Sequence, residues 1–475
     1  MTQHAKLKIG YTIALIILLG LGACVLRQPQ EETPVGAEDE WQPPLLVTLE
    51  GVAEANNLSS KGNFMVYYPY KVADYPVALP VRNGDLLYIS DEEDENENFY
   101  LYDVGDGLRP SLELDSSLVQ VNSRAVSLLL SEGTGAWKWL AEAEPQDLDL
   151  LRLLVIDDTE KPDPSHKEIL QRLSAIRPSL KVVFSWDESL AVFPLSSDFW
   201  IFFDSLGAMD STASAEDVYA LLADMNPEWL TVAESDSLTF LNEFSGLRTL
   251  EIMEWTNSMG SLPAELDELR SLIIGTESDS IDLSNLEGLT SLQEFRLVAY
   301  DDLMLTNIST LSKLPNLRSV TFFSLLDSLA IADLQELEGL RWLGLPANIH
   351  QEQFAAIVDN HPDLLGLELF MEEPSIHDLT PLTELRKLEY LIIICEEDYD
   401  YSPLRELSTL RYLGLIEDVF EDTLGTVAMI EASLPETVIA AWGVCLGSGW
   451  ILVLLPMVAM IVFLLRWRNR PTMGQ

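Results

Sequence analysis

The stretch DLTPLTELRKLEYLIII, residues 378–394, sets apolar side chains at Leu382, Leu385, Leu388, Leu391 and Ile393. The last part, LxxLxL, ends in a two-residue step, and a two-residue step puts both side chains on one face of a strand. Two further leucines stand three and six residues ahead of it. A segment this short cannot bury so many leucines by itself, so the question is whether it has neighbours of the same kind.

It has seven. LRTLEI begins at Leu247, LRSLII at Leu269, LQEFRL at Leu292, LRSVTF at Leu317, LRWLGL at Leu340, LLGLEL at Leu364 and LRYLGL at Leu410, with LEYLII at Leu388 completing the set. Successive starts are 22, 23, 25, 23, 24, 24 and 22 residues apart. Leu334, Leu337, Leu340, Leu343 and Leu345 repeat the full pattern. Stacked in register, such units share one continuous core in which each touches only its neighbours.

Across residues 238–415 the chain resembles the leucine-rich repeat family, and DLTPLTELRKLEYL looks most like the short bacterial repeats of internalin-type surface proteins. The resemblance implies an α/β solenoid, with one short parallel strand per repeat on the concave face and a helical or irregular return on the convex face. The chain departs from the family after its strands. Many members carry an asparagine there, in a buried hydrogen-bonded ladder, where this sequence has Trp255, Tyr300, Asn348 and Asp418.

Upstream the pattern lengthens. LRLLVI at Leu151 and LKVVFS at Leu180 stand 29 residues apart, KEILQRLSAIRP reads as helix, and VYALLADMNPEWLTV follows from Val218. Residues 121–236 are therefore expected to form longer, degenerate repeats, and 237–440 the regular ones. Residues 45–120 read as a small β-rich acidic domain or cap, since YISDEEDENENFYLYDVGDG is two strand-like runs around an acidic loop. Terminal repeats need a cap because their outer face would otherwise expose the core. Asp91–Asn98 lacks the ligand spacing and central glycine of an EF-hand loop and reads as a solvated loop.

Both ends carry apolar runs. Lys6 and Lys8 precede an uncharged stretch from Ile9 to Leu26, the layout of an export signal. LGAC, ending at Cys24, resembles the lipobox of bacterial lipoproteins, which implies acylation of Cys24; an uncleaved signal anchor over 1–26 fits as well, with 27–44 as linker. Residues 441–465 are expected to span a membrane as a helix, with the basic tail 466–475 (Arg466, Arg468, Arg470) on the cytoplasmic side and the body outside the cytoplasm. SLPETVIAAW, 433–442, matches a sortase-type LPxTG signal at Leu434, Pro435 and Thr437, but has Val438 in place of glycine. It also falls where the next repeat strand is due, and TVIAAW is β-branched and apolar, so it is read as strand.

Composition narrows function. With 77 acidic and 28 basic residues the formal charge is −49, which disfavours a nucleic-acid partner. Three cysteines (Cys24, Cys395, Cys445) make no disulfide framework, and the five histidines form no metal-ligand spacing, so no cofactor or metal is expected. No GxSxG or glycine-rich phosphate loop is present; an active-site search in 28–236 would start at Asp157, Asp158 and His166.

If the leucines of LxxLxL point inward, the alternate residues face out from the concave sheet. These include Met253, Ile273, Phe323, Trp342, Phe370, Tyr390, Ile392, Ile394, Tyr412 and Ile416, with Glu251, Glu294, Arg296 and Glu368 as a charged fringe. So apolar an open face marks an interaction site. The expected function is a non-catalytic, membrane-anchored protein that holds another protein through Phe323, Trp342, Phe370, Tyr390, Ile392, Ile394 and Tyr412. An adhesin or structural wall protein, or an enzyme within 28–236, are the alternatives.

Overall fold

The computed structural model describes residues 136–442, apart from short connecting segments, and ahead of them the backbone of strands lying between Leu45 and Leu130. The leader with Cys24, the acidic loop after Asp91, and the chain from 443 onward lie outside the described residues. No described helix is long and apolar enough to cross a membrane.

One sheet of 16 strands runs the length of the body. From Trp229–Val232 to Val438–Trp442 its strands are all parallel and pair in chain order, except that Ser280–Asp282 stands to the side, parallel to the end of the long Glu294–Thr306 strand. The register never slips at the start of a repeat: Trp229, Thr249, Ser271, Glu294, Ser319, Trp342, Gly366, Tyr390, Tyr412 and Val438 stand on one rung. The next rung is Leu230, Leu250, Leu272, Phe295, Val320, Leu343, Leu367, Leu391 and Leu413, every one of them fully buried, and ends at Ile439, which keeps 8% of its surface. A one-residue slip would turn that rung outward, so the apolar pattern itself fixes the register.

A second lock lies just before each strand. The carbonyl of Arg248 accepts from the N–H groups of both Arg270 and Ser271 in the following repeat. Arg270, Gln293, Arg318, Arg341, Leu365, Glu389 and, for one of the two bonds, Arg411 continue the series. Side chains add single ties between repeats. Asn348 Oδ1 accepts from Leu326 N at 3.1 Å while its Nδ2 donates to Leu326 O at 2.7 Å. The ring nitrogens of buried His361 lie 2.7 Å from the carbonyls of Ile357 and Leu337. Of the four positions after the strands named above, Asn348 is the asparagine, and its two bonds to Leu326 tie its turn to the preceding repeat.

The returns are short 3-10 turns in the tight repeats (Leu283–Leu286, Ile308–Lys313, Thr380–Glu384, Ser402–Glu406) and α-helices in others (Ser328–Gln335, Gln351–Asn360, Thr426–Ser433). Several tight turns start the same way. Asp282, Asp378 and Asp400 each accept a hydrogen bond from the backbone N–H two residues on, at 2.8–2.9 Å, and side-chain hydrogen bonds from Asn307, Thr380 and Ser402 respectively, helped by those backbone bonds, hold their carboxyls below the ordinary range. Pro381 and Pro403 then occupy the first turn, where a missing N–H costs nothing. Part of the large acidic excess is therefore spent on turns.

Upstream, LRLLVI gives the strand Leu153–Asp157, LKVVFS gives Lys181–Trp186, and the Val218 block gives the helix Ala215–Ala223 and the strand Trp229–Val232. Besides the side strand Ser280–Asp282, the sequence pattern missed a strand of the main path. Ser189–Pro194 folds back as a hairpin on Lys181–Trp186 and pairs antiparallel with both its neighbours, so the direction of the sheet reverses twice there. At the other end SLPETVIAAW forms the strand Val438–Trp442, parallel to Tyr412–Ile416. Ala441 and Trp442, assigned above to the start of the spanning helix, belong to this strand.

Between Leu45 and Asp103 two small sheets form. Leu45–Thr48 pairs with Ala78–Val81, and Tyr70–Lys71, Phe64–Val66, Leu86–Asp91 and Phe99–Asp103 make a four-stranded antiparallel sheet.

Candidate interaction surface on the concave face

The in-register strands carry three outward rows. The first is the rung already given, from Trp229 to Val438. The second runs Thr231, Glu251, Ile273, Arg296, Thr321, Gly344, Glu368, Ile392 and Gly414. The third includes Val298, Phe323, Phe370 and Ile394. All seven residues expected to bind a partner stand on this face, so the structure does bring them together.

It does not leave them open. Trp342, Tyr390 and Ile392 retain 1% of their surface and Tyr412 none; Phe323, Phe370 and Ile394 are half-buried. Met253 and Ile273 are buried too, in a small cluster with Ala233 and Val298 that is separate from the leucine core and touches Phe323. The charged residues expected as a fringe are equally dry: Glu251, Arg296 and Glu368 are buried, and Glu294 is half-buried. The side chain of Ile416 falls outside the described residues.

Some of this burial comes from the face itself. The Trp342 indole lies over Gly366 of the neighbouring strand, its Nε1 donating to Glu368 and its ring 5.6 Å from that of Tyr390. The strand next to it makes room with Gly366, where a Cβ would meet the indole Cε3 at 2.0 Å. Phe323 and Phe370 sit two strands apart yet meet edge to face at 4.4 Å, because the Trp342–Leu345 strand between them stops at Pro346. Proline has no N–H for the ladder, which ends the intervening strand there.

Among the described residues, Glu251 is a buried acid whose proton affinity is displaced by its surroundings. Thr231 Oγ1 donates to its Oε2 at 2.9 Å. Burial raises its carboxyl from 4.5 to about 7, against the opposing pull of the Thr231 bond and of Arg296. An acid held near neutrality in this way donates as well as accepts hydrogen bonds.

Of the residues proposed as a start for an active-site search, only His166 has its side chain among the described residues. His166 stacks on Trp137 with ring centroids 3.6 Å apart, and burial lowers its proton affinity. Asp157 ends a strand, and Asp158 lies outside the described residues. Among the described residues no three His, Cys, Asp or Glu side chains are grouped to hold a metal ion.

No family model matches the chain, and no curated protein does. Solved structures similar to it are leucine-rich proteins at low identity. An internalin C2 from Listeria monocytogenes is 21% identical over 42% of this chain and 83% of its own, with a TM-score of 0.30. An internalin (InlF) from the same species is 15% identical over 64% of this chain and 87% of its own, TM-score 0.33. The mouse RP105/MD-1 complex gives 17% identity over 57% of this chain and 44% of that one, TM-score 0.33. The repeat fold rests on the registered parallel strands and leucine rungs described above.

Proposed function

We propose that this leucine-rich repeat solenoid is a non-catalytic protein that holds another protein on its concave face. The observation that carries the reading is the set of large side chains aligned there: Trp342, Tyr390 and Tyr412 on the first outward row, Glu368 and Arg296 on the second, Phe323, Phe370 and Ile394 on the third. Aromatic residues with interleaved charges are the composition of interface anchors. The formal charge of −49 argues against a nucleic-acid partner. The body stands outside the cytoplasm, tethered by the apolar run before Arg466, with Cys24 as an acylation site or the leader retained as an anchor. An adhesin role differs only in whether the partner is foreign.

The test is retention of proteins from source membranes by the full chain in detergent, followed by direct binding of any protein retained. The half-buried pair Phe370→Ser and Ile394→Ser would weaken a concave-face partner roughly tenfold or more each, as for interface anchors. Leu329→Ser, on the convex helix Ser328–Gln335, would leave binding unchanged. Equal binding by all three variants would remove the concave face from the function.

A further inference from the structure

The concave face is drier than a bare sheet can be. Neighbouring side chains cover the flanks of a residue on a sheet, at strand spacings of about 4.8 Å, but leave its outward end in water. Tyr412, Tyr390, Trp342 and Ile392 nevertheless keep 0–1% of their surface. Something lies across them.

The backbone of the N-terminal strands shows what can. Ala78–Val81 lies against Val438–Trp442, the last strand of the long sheet, while Phe99–Asp103 lies against Arg124–Leu130, near its first. These two contacts are close in the chain. Four residues separate Val81 from Leu86, and Leu86–Asp91 pairs directly with Phe99–Asp103. The midpoints of the two touching strands are thus no more than roughly 35 Å apart. Along the sheet the same two ends are thirteen strand spacings apart, roughly 60 Å. Strands pack at about 4.8 Å and helices at 8–10 Å, so the stack curves with its strands inside. A bridge shorter than the arc lies within that curve.

We infer that the two small sheets between Leu45 and Asp103 dock into the hollow of the solenoid and cover its concave face, so that the face is occupied by the chain's own N-terminal strands. A partner that used the same residues would have to displace them. The docking itself does not depend on the proposed partner binding.

Two measurements on the full chain test it, with Cys24, Cys395 and Cys445 first replaced by Ser. In the first, Leu79→Cys is combined with Ala440→Cys and treated, at high dilution, with a short bis-maleimide. An intramolecular cross-link is expected here and not for Leu79→Cys with Leu329→Cys. In the second, thiol alkylation of Ile392→Cys is compared with that of Leu329→Cys, whose parent side chain is 80% exposed. The rate at 392 is expected to be at least roughly tenfold slower. Absence of the first cross-link, or equal alkylation rates, overturns the inference. A chain that passes both and retains no protein from membranes loses only the partner reading.

Discussion

Replacing Gly366 by alanine tests the packing of the concave face at a single atom. The added Cβ would meet Trp342 Cε3 at 2.0 Å, Cζ3 at 2.3 Å and Cδ2 at 2.5 Å, all atoms of a rigid ring. The indole is 1% exposed and tied to Glu368, so it can move only by breaking that bond and displacing its neighbours. Overpacking of this kind costs about 1–3 kcal/mol. Remove the indole and the sign changes. In a Trp342→Ala background the methyl has space, and alanine at a backbone position it can adopt stabilises by about 0.4–1 kcal/mol. The coupling between the two substitutions is then about 1.5–4 kcal/mol. Urea denaturation of the wild type, both single variants and the double variant, followed by far-ultraviolet circular dichroism, measures it. A cost for Gly366→Ala that is the same in both backgrounds would refute the placement of the indole.

Glu251 makes stability depend on pH. Its folded proton affinity lies above its unfolded one, at about 7 against 4.5, so stability is greatest below pH 4.5, falls as the pH rises towards 7 and then levels off. The full change is about 3 kcal/mol. Glu251→Gln removes it, so the difference between wild type and variant should vary across that window; a constant difference would refute it. Leu391→Ala, at a fully buried rung, should lower stability by about 2–5 kcal/mol, while Leu329→Ala should stay within about 0.5 kcal/mol. Equal effects in denaturation would contradict the assignment of inner and outer faces. Asp327 accepts from Leu329 N and Ala330 N at the start of Ser328–Gln335, and Asp327→Ala should cost about 1 kcal/mol. An unchanged denaturation midpoint would mean that water replaces the cap in full.

The regular repeats were legible because their signal is local. Leucines at fixed intervals, as at Leu382 to Ile393, state both the strand and its buried side, and eight copies state the stacking. The strand Ser189–Pro194 was not legible as a reversal, since an alternation of period two reads the same in either direction. Its burial pattern resembles that of a forward repeat strand, and only pairing distinguishes them. The concave residues were placed on the correct face but given the wrong environment. Alternation shows that Trp342 points away from the leucines; it carries no information on what stands opposite. The charges misled for a related reason. Glu251, Arg296 and Glu368 suggest solvent by type, whereas their surroundings are set by strands and rings distant in sequence.

The reversed hairpin also bears on how the molecule comes into being. Trp186 and Ser189 pair across two residues, whereas each parallel pairing of the regular repeats waits for a further 20 or so residues of chain. Loop closure is therefore as easy there as at the upstream Val121–Arg124 hairpin and easier than in any regular repeat, and a ribosome delivers the Trp186–Ser189 hairpin before any regular repeat has emerged. It can serve as the seed edge onto which Trp229–Val232 first aligns and the later repeats add one by one, in the order of synthesis. A longer, slower-closing turn between Trp186 and Ser189 would on this view slow the maturation of a strand 250 residues away.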